Sequence, residues 1–239
     1  MEEFKNYLMQ LIGSIEWQDP ENCQAAAKDI MELFAEKVGN RARDIINGIY
    51  SGLYAGFDAV SDTLKEQGIN GINLWSALHM DMTERYDDKP LVRSLAVLAV
   101  IAQEVRCYND VAFKSYQQTN VVDDIAISRV VERLVKMRPY ILGTPIDKFS
   151  IDADVSVVSK KVGAVIFANT FRQLDMVMYN SSDQMHVTFI GFFNDCTQSK
   201  TVVEGFGEDL AACAEQLANT LDANSGYRRV YSDISRKLR

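Results

Sequence analysis

The chain has only two histidines, the side chains best suited to metal binding and proton transfer, and they stand far apart at His79 and His186. Asp81 follows His79 by two residues, so on a helix the two side chains point to different sides and cannot share a metal ion. His186 alternates with the apolar Met185 and Val187, which predicts a strand whose histidine faces solvent. We interpret both histidines as surface residues and predict neither a catalytic residue nor a metal ligand.

Acidic pairs are the second candidate chemistry, because carboxylates bind Mg²⁺ or di-iron centres when they face each other. The pairs Asp87-Asp88 and Asp123-Asp124 precede apolar helical segments, where acids cap a helix and favour its positive end. Asp58 and Asp62 are four apart on one helix face, but the Glu-x-x-His pairs that a di-iron bundle needs are absent from the sequence. We interpret these acids as solvated or capping residues, and predict no metal.

The segment Gly205-Phe206-Gly207 stands between a predicted strand and a predicted helix, the position of a phosphate-binding loop. The third glycine of the dinucleotide pattern is replaced by Leu210, and Glu208-Asp209 places two negative charges where a phosphate would bind. The segment therefore predicts a turn before a helix, and no cofactor.

A basic C-terminal tail is the one electrostatic asymmetry of the chain. It holds five basic residues against one acid, so it carries +4, whereas the whole chain has a net charge of −8 and the rest therefore carries −12. Such a tail could contact phosphates of a nucleic acid or dock on an acidic protein surface. The basic residues of the tail, 227–239, are Arg228, Arg229, Arg236, Lys237 and Arg239.

The amino-acid composition of the chain restricts the classes of protein to which it can belong. The 239 residues are 47% hydrophobic and 24% charged, which is typical of globular proteins. Four scattered cysteines without a Cys-x-x-Cys pair predict reduced, mostly buried thiols of a cytosolic protein. The acidic start Met1-Glu2-Glu3 does not resemble a secretory signal, and no apolar run reaches the roughly 18 residues of a membrane span. We expect a cytoplasmic protein, or one in an intracellular viral assembly, with no membrane partner.

Helical patterning dominates residues 1–138, and its most unusual feature is a glycine at every fourth position. Gly48, Gly52 and Gly56 lie in the apolar stretch 45–60, where they would form a flat strip on one helix face. Each interior glycine costs about 1 kcal/mol relative to alanine, so we expect the strip to pack closely against another helix. The alternative is that the glycines break the helix.

The pattern changes near Pro139, and this change predicts an α+β fold. Alternating apolar residues at 149–157, and the segments 172–179 and 185–193 around a turn at 180–183, are typical of strands and a hairpin. A further strand is predicted at 201–204, followed by a helix at about 208–221 and a basic helix at about 227–238. We therefore predict two domains: a helical bundle, 1–138, and a small antiparallel sheet with one or two C-terminal helices, 139–239.

These observations favour a non-catalytic protein that binds another protein or copies of itself. The specific version is an assembly subunit such as a structural component of a virus or phage. Two alternatives remain open: a nucleic-acid-associated protein that uses the basic tail, and a small enzyme with a dispersed site between the two parts.

Overall fold

The computed structural model describes residues 2–11, 13–37, 44, 47–85, 90–142, 153–175 and 183–239. These residues form α-helices, one π-helical segment and short connections. The ten α-helices are α1 (Glu2–Leu11), α2 (Pro20–Lys37), α3 (Ala55–Glu66), α4 (Ile72–Arg85), α5 (Pro90–Thr119), α6 (Asp124–Leu142), α7 (Ala153–Arg172), α8 (Asp183–Gln198), α9 (Lys200–Thr220) and α10 (Gly226–Leu238). The π-helical segment, Ile49–Tyr54, leads directly into α3.

The predicted α+β class is wrong, because no strand occurs in the ranges described above. Residues 153–157 lie in α7, residues 185–193 in α8 and residues 201–204 in α9. The part of the predicted first strand at 149–152 and the turn at 180–182 lie outside the described residues. Pro139 also does not end α6, which runs on to Leu142.

Burial along α8 shows why the strand prediction failed. A strand at 185–193 would bury Val187 and expose His186, whereas in the structure Val187 is 64% exposed and His186 is 1% exposed. The buried residues include Met185, Phe189 and Phe193, which recur every four residues, the spacing of one helix face. Alternation and helical spacing coincide over such a short segment, so the pattern alone did not separate them.

The helical prediction for the N-terminal part is confirmed in its main elements. α2 begins at Pro20, where the carboxylate of Asp19 accepts a 2.9 Å hydrogen bond from the backbone N–H of Glu21. α5 is the central helix: it packs against α4 and α6, and also against α3, α7 and the π-helical segment. The residues from Leu95 to Ala102 are all buried, as expected for a helix that is apolar on every side.

The C-terminal helices pack on one another and on α5 and α6. α9 contacts α7, α8 and α10, while α7 and α8 contact α6. An aromatic cluster fills the space between α7 and α8, with the rings of Phe167 and Phe192 4.4 Å apart and those of Phe171 and Phe189 5.4 Å apart. The division into domains at residues 138 and 139 stays a prediction.

Gly207 allows the end of the chain to pack closely on α9. The predicted turn at 205–207 is wrong, because these residues lie inside α9. A Cβ atom at Gly207 would overlap the backbone carbonyl of Leu238, the last residue of α10. The glycine is therefore explained by close packing of a helix end rather than by phosphate binding or by a turn.

We predict that Gly207→Ala lowers the free energy of unfolding by about 1–3 kcal/mol, because the new methyl group must displace backbone atoms. The matched control is Gly191→Ala on α8, where a Cβ meets no atom within 4 Å. The control should be neutral or stabilising by up to about 1 kcal/mol, because alanine favours a helix. Urea unfolding of both variants measures the difference, and equal midpoints would contradict the packing role of Gly207.

Candidate functional site

The basic tail forms α10, as the sequence predicts, and one face of this helix is buried against the body of the protein. Tyr231, Ile234, Ser235 and Leu238 are the buried residues of this face. Two of the five predicted basic residues also point inward: Arg228 donates a 3.1 Å hydrogen bond to the carbonyl of Leu221, and Arg239 forms an ion pair with Glu215. The tail is thus bound to its own chain.

The remaining basic residues of α10 face outward. Arg236 forms an ion pair with Asp233 on the same helix, and both side chains are largely exposed. Arg229 and Lys237 are exposed as well. Positions 229, 236 and 237 fall on one face by helical spacing, so this face is cationic. That this face binds a nucleic acid or an acidic protein surface stays a prediction.

A buried histidine fastens α10 to α8. The Nδ1 atom of His186 lies 3.0 Å from the hydroxyl of Tyr231, and its ring stacks on Tyr227 at a centroid distance of 4.4 Å. Tyr227 in turn donates a 3.1 Å hydrogen bond to the carboxylate of Asp183. The expectation that His186 faces solvent is therefore wrong, and its position is explained by a partner 45 residues away in the sequence.

The three glycines of the predicted packing strip are all buried. Gly56 lies in α3, and a Cβ atom at this position would approach Cδ1 of Leu8 on α1 to 2.9 Å. Gly48 precedes the π-helical segment and Gly52 lies within it. This segment packs against α5 and α1. A packing role for the whole strip, and in particular for Gly48 and Gly52, stays a prediction.

The cluster with the most chemistry surrounds Glu104, a carboxylate of α5 that is only 1% exposed. Two side chains of α4 bind it: Nδ1 of His79 lies 3.0 Å from Oε2, and the hydroxyl of Ser76 donates a 3.3 Å hydrogen bond to Oε1. From α6, Nε of Arg133 lies 3.0 Å from Oε2. Three helices therefore meet at one buried negative charge.

Further contacts hold the guanidinium of Arg133 in place. Its Nη1 donates a 2.9 Å hydrogen bond to Glu132, and its guanidinium carbon lies 5.8 Å from the ring centroid of Tyr108. Glu132 also binds Lys136 and Arg129, and these hydrogen bonds lower its pKa to about 2. Arg129, Arg133 and Lys136, which recur at helical spacing along α6, thus all belong to one ion-pair network.

The group in this cluster that could take part in chemistry is His79, whose ring Glu104 orients. A buried carboxylate on one ring nitrogen holds the imidazole in one orientation. The side chain of His79 is 23% exposed. The interpretation of His79 as a surface residue is therefore incomplete. The signal in the sequence was Glu104 itself, because it directly continues the buried apolar run of α5 and a buried charge needs partners.

A second charged cluster joins α3 to α5. Arg106 forms ion pairs with both Asp58 and Asp62, the acids that the sequence left as a solvated pair. Burial opposes the charge of this guanidinium, but the two carboxylates outweigh it and raise the pKa of Arg106. The acids thus fix the packing of two helices, and both are bound by the same cation.

The four cysteines are free and buried, as predicted. Burial raises the pKa of Cys107, Cys196 and Cys213 to about 12, and raises that of Cys23 as well. A thiol with so high a pKa stays protonated near neutral pH and is a weak nucleophile. The cysteines therefore act as small apolar core residues.

Comparison with protein-family models, with curated proteins and with solved structures found no match to this chain. In the ranges that the structure describes, histidine, cysteine and acidic side chains do not gather into a metal-binding group of three or more. In the same ranges, none of the helices has the length and apolar character needed to cross a membrane.

Proposed function

We propose that this chain is a non-catalytic interaction subunit that binds a protein partner through the turn between α5 and α6. The observation that supports this is a pair of exposed apolar side chains at that turn. Val121 is 63% exposed and Ile125 is 77% exposed. Turns at helix ends are normally polar, so two exposed β-branched residues within five positions of each other favour a contact surface.

The turn is held rigidly, which favours binding because little flexibility is lost on association. Asn120 adopts a left-handed conformation with φ of 54° and ends α5, and its N–H donates a 2.8 Å hydrogen bond to Tyr116. Asp123 then caps α6, since its carboxylate accepts 3.0 Å hydrogen bonds from the N–H groups of Ile125 and Ala126. The apolar pair is thus presented from a fixed backbone.

A second copy of the chain is the first partner to test. Self-association matches the proposed role of an assembly subunit, of which a viral or phage structural protein is the specific version, in the cytoplasm or in an intracellular viral assembly. The exposed Asp124 beside Ile125 adds a charge at the rim of the apolar pair, where it would set specificity more than affinity.

We expect the double variant Val121→Ser and Ile125→Ser to weaken self-association at least tenfold while changing the free energy of unfolding by no more than about 0.5 kcal/mol. Sedimentation or light scattering over a concentration series measures the mass against the 26.9 kDa of one chain. The control is Val187→Ser on α8, which is 64% exposed and should leave the mass unchanged. A parent protein that stays monomeric, or an equal effect of the control, would contradict this surface.

The nucleic-acid alternative is supported by the outward face of α10, which presents Arg229, Arg236 and Lys237. Deleting residues 227–239 would be a poor test, because it also removes the buried residues Tyr231, Ile234 and Leu238. Charge substitution keeps these contacts. The enzyme alternative placed a site between the two parts of the chain, whereas the His79–Glu104 pair lies within the first 138 residues and does not support that location.

If the tail binds RNA or DNA, replacing Arg229, Arg236 and Lys237 by serine should abolish most of the affinity without unfolding the protein. Three phosphate contacts correspond to a log–log slope with salt of at most about −3 for the parent protein. The control is Lys200→Ser, whose side chain is 87% exposed at the start of α9. Fluorescence anisotropy with a labelled oligonucleotide measures both, and binding that survives the triple substitution would exclude this face.

A further inference from the structure

A small polar cavity lies between α3, α4 and α5, next to the loop that joins α3 to α4. Its volume is about 20 Å³, enough for one water-sized group. The inner wall is formed by Ser61 of α3, Trp75 of α4 and Cys107 of α5, and Gly71 of the loop also lines it. This cavity is separate from both Glu104 and the α5–α6 turn.

Two hydrogen-bond donors in the cavity have no partner. The indole Nε1 of Trp75 and the hydroxyl of Ser61 are buried without a hydrogen bond, and the two side chains are 0% and 8% exposed. A buried polar group without a partner has lost its hydrogen bonds to water without replacement, so it favours a ligand that restores them. Since an indole N–H can only donate, the group that fits beside it must be an acceptor.

The charges around the cavity favour an acceptor with negative charge. Lys65, Arg106 and Lys114 line it, against one acid, Asp110. The carboxylate of Asp110 is already bound by Lys65 at 2.7 Å. Arg106 is bound to two acids that do not line the cavity, so Lys114 is the cation left for a ligand.

Two local features add to this preference. α4 begins at Ile72, beside the cavity. The N–H of Ile72 is bound by Oδ1 of Asn70, and the remaining positive end of the helix attracts an anion. The thiol of Cys107 stays protonated, because burial raises its pKa to about 12, so it brings no negative charge.

Gly71 keeps the indole N–H accessible. A Cβ atom at this position would lie 3.0 Å from Nε1 of Trp75 and 3.0 Å from Cδ1 of Leu64, so it would cover the donor. The backbone of Gly71 is not in the left-handed region, and alanine can therefore adopt its conformation. Alanine at this position is thus a direct way to block the cavity.

We propose that this cavity binds a small oxyanion, which places one oxygen between the indole N–H of Trp75 and the hydroxyl of Ser61 and keeps its remaining atoms at the mouth beside Lys114. Carboxylates and phosphates share this chemistry. The proposal does not depend on the proposed interaction surface.

The experiment follows the indole N–H resonances by ¹H–¹⁵N NMR. The chain has two tryptophans, Trp17 and Trp75, so Trp17→Phe assigns both resonances. The protein is titrated at constant ionic strength with acetate, with inorganic phosphate and with acetamide, the neutral analogue of acetate. We expect a saturable shift of the Trp75 resonance with acetate or phosphate, none with acetamide, and none of the Trp17 resonance.

Two variants test the geometry. Gly71→Ala should weaken binding at least tenfold, and Ser61→Ala, which adds no bulk, should weaken it several-fold. Gly226→Ala, where a Cβ meets no atom within 4 Å, should leave binding unchanged. Amide resonances confirm that each variant is folded, and Ser61→Ala carries the test if Gly71→Ala is not.

The responses to acetate, phosphate and acetamide distinguish the possible outcomes. A response to acetate alone or to phosphate alone identifies the class of oxyanion. A Trp75 resonance that moves with neither anion, that moves equally with acetamide, or that is unaffected by both variants would overturn the proposal and leave a cavity filled by water.

Discussion

The buried charge of Glu104 constrains the arrangement of the central helices. Moving a carboxylate out of water costs several kcal/mol unless cations and hydrogen bonds replace the solvent. The compensation comes from Arg133 on α6 and from Ser76 and His79 on α4. Because none of these partners belongs to α5, the charge is satisfied only when three helices take one relative position.

This constraint matters because the turns of α5 that precede Glu104 are apolar. Between Leu95 and Ala102, α5 is apolar on all sides. Apolar burial is non-directional, so it specifies the register of a helix less sharply than a charge with fixed partners does. Glu104 lies just beyond that run and supplies such a charge. Arg106, two residues further on, does the same toward α3 through Asp58 and Asp62. The register of α5 is thus fixed by two charged residues near the middle of the helix.

Local signals in the sequence were sufficient for the elements that depend on local physics. Asp19 and Pro20, a capping acid before a proline, mark the start of α2, and the continuous apolar run of α5 is buried. The tail helix was also predictable, since its polar and apolar residues separate at helical spacing. The prediction of C-terminal strands was wrong because the apolar residues of 185–193 fit both the alternation of a strand and the spacing of one helix face. The contact that decides between them, His186 with Tyr231, spans 45 residues.

The candidate sites also depend on contacts between residues that are far apart in the sequence, which a local pattern does not contain. His79 and Glu104 are 25 residues apart and Arg133 is further along the chain, so no short motif contains them. The basic tail was visible as a set of charges, but which residues face the body, as Arg228 and Arg239 do, follows only from the docked helix. Gly207 is a similar case: its neighbour is the carbonyl of Leu238, which no local pattern could indicate.

The central claim is that Glu104 and Arg133 form a coupled buried ion pair, and a double-mutant cycle of Glu104→Gln and Arg133→Met tests it most directly. Each single variant should lower the free energy of unfolding by about 3–5 kcal/mol, because the remaining charge loses its buried counter-ion. The double variant should lower the free energy of unfolding by about 1–3 kcal/mol less than the sum of the two single variants. The same cycle on the exposed pair Arg172 and Asp209, 2.7 Å apart and outside this network, should give a coupling of about 0.2–1 kcal/mol. Additive losses at Glu104 and Arg133 would contradict the account.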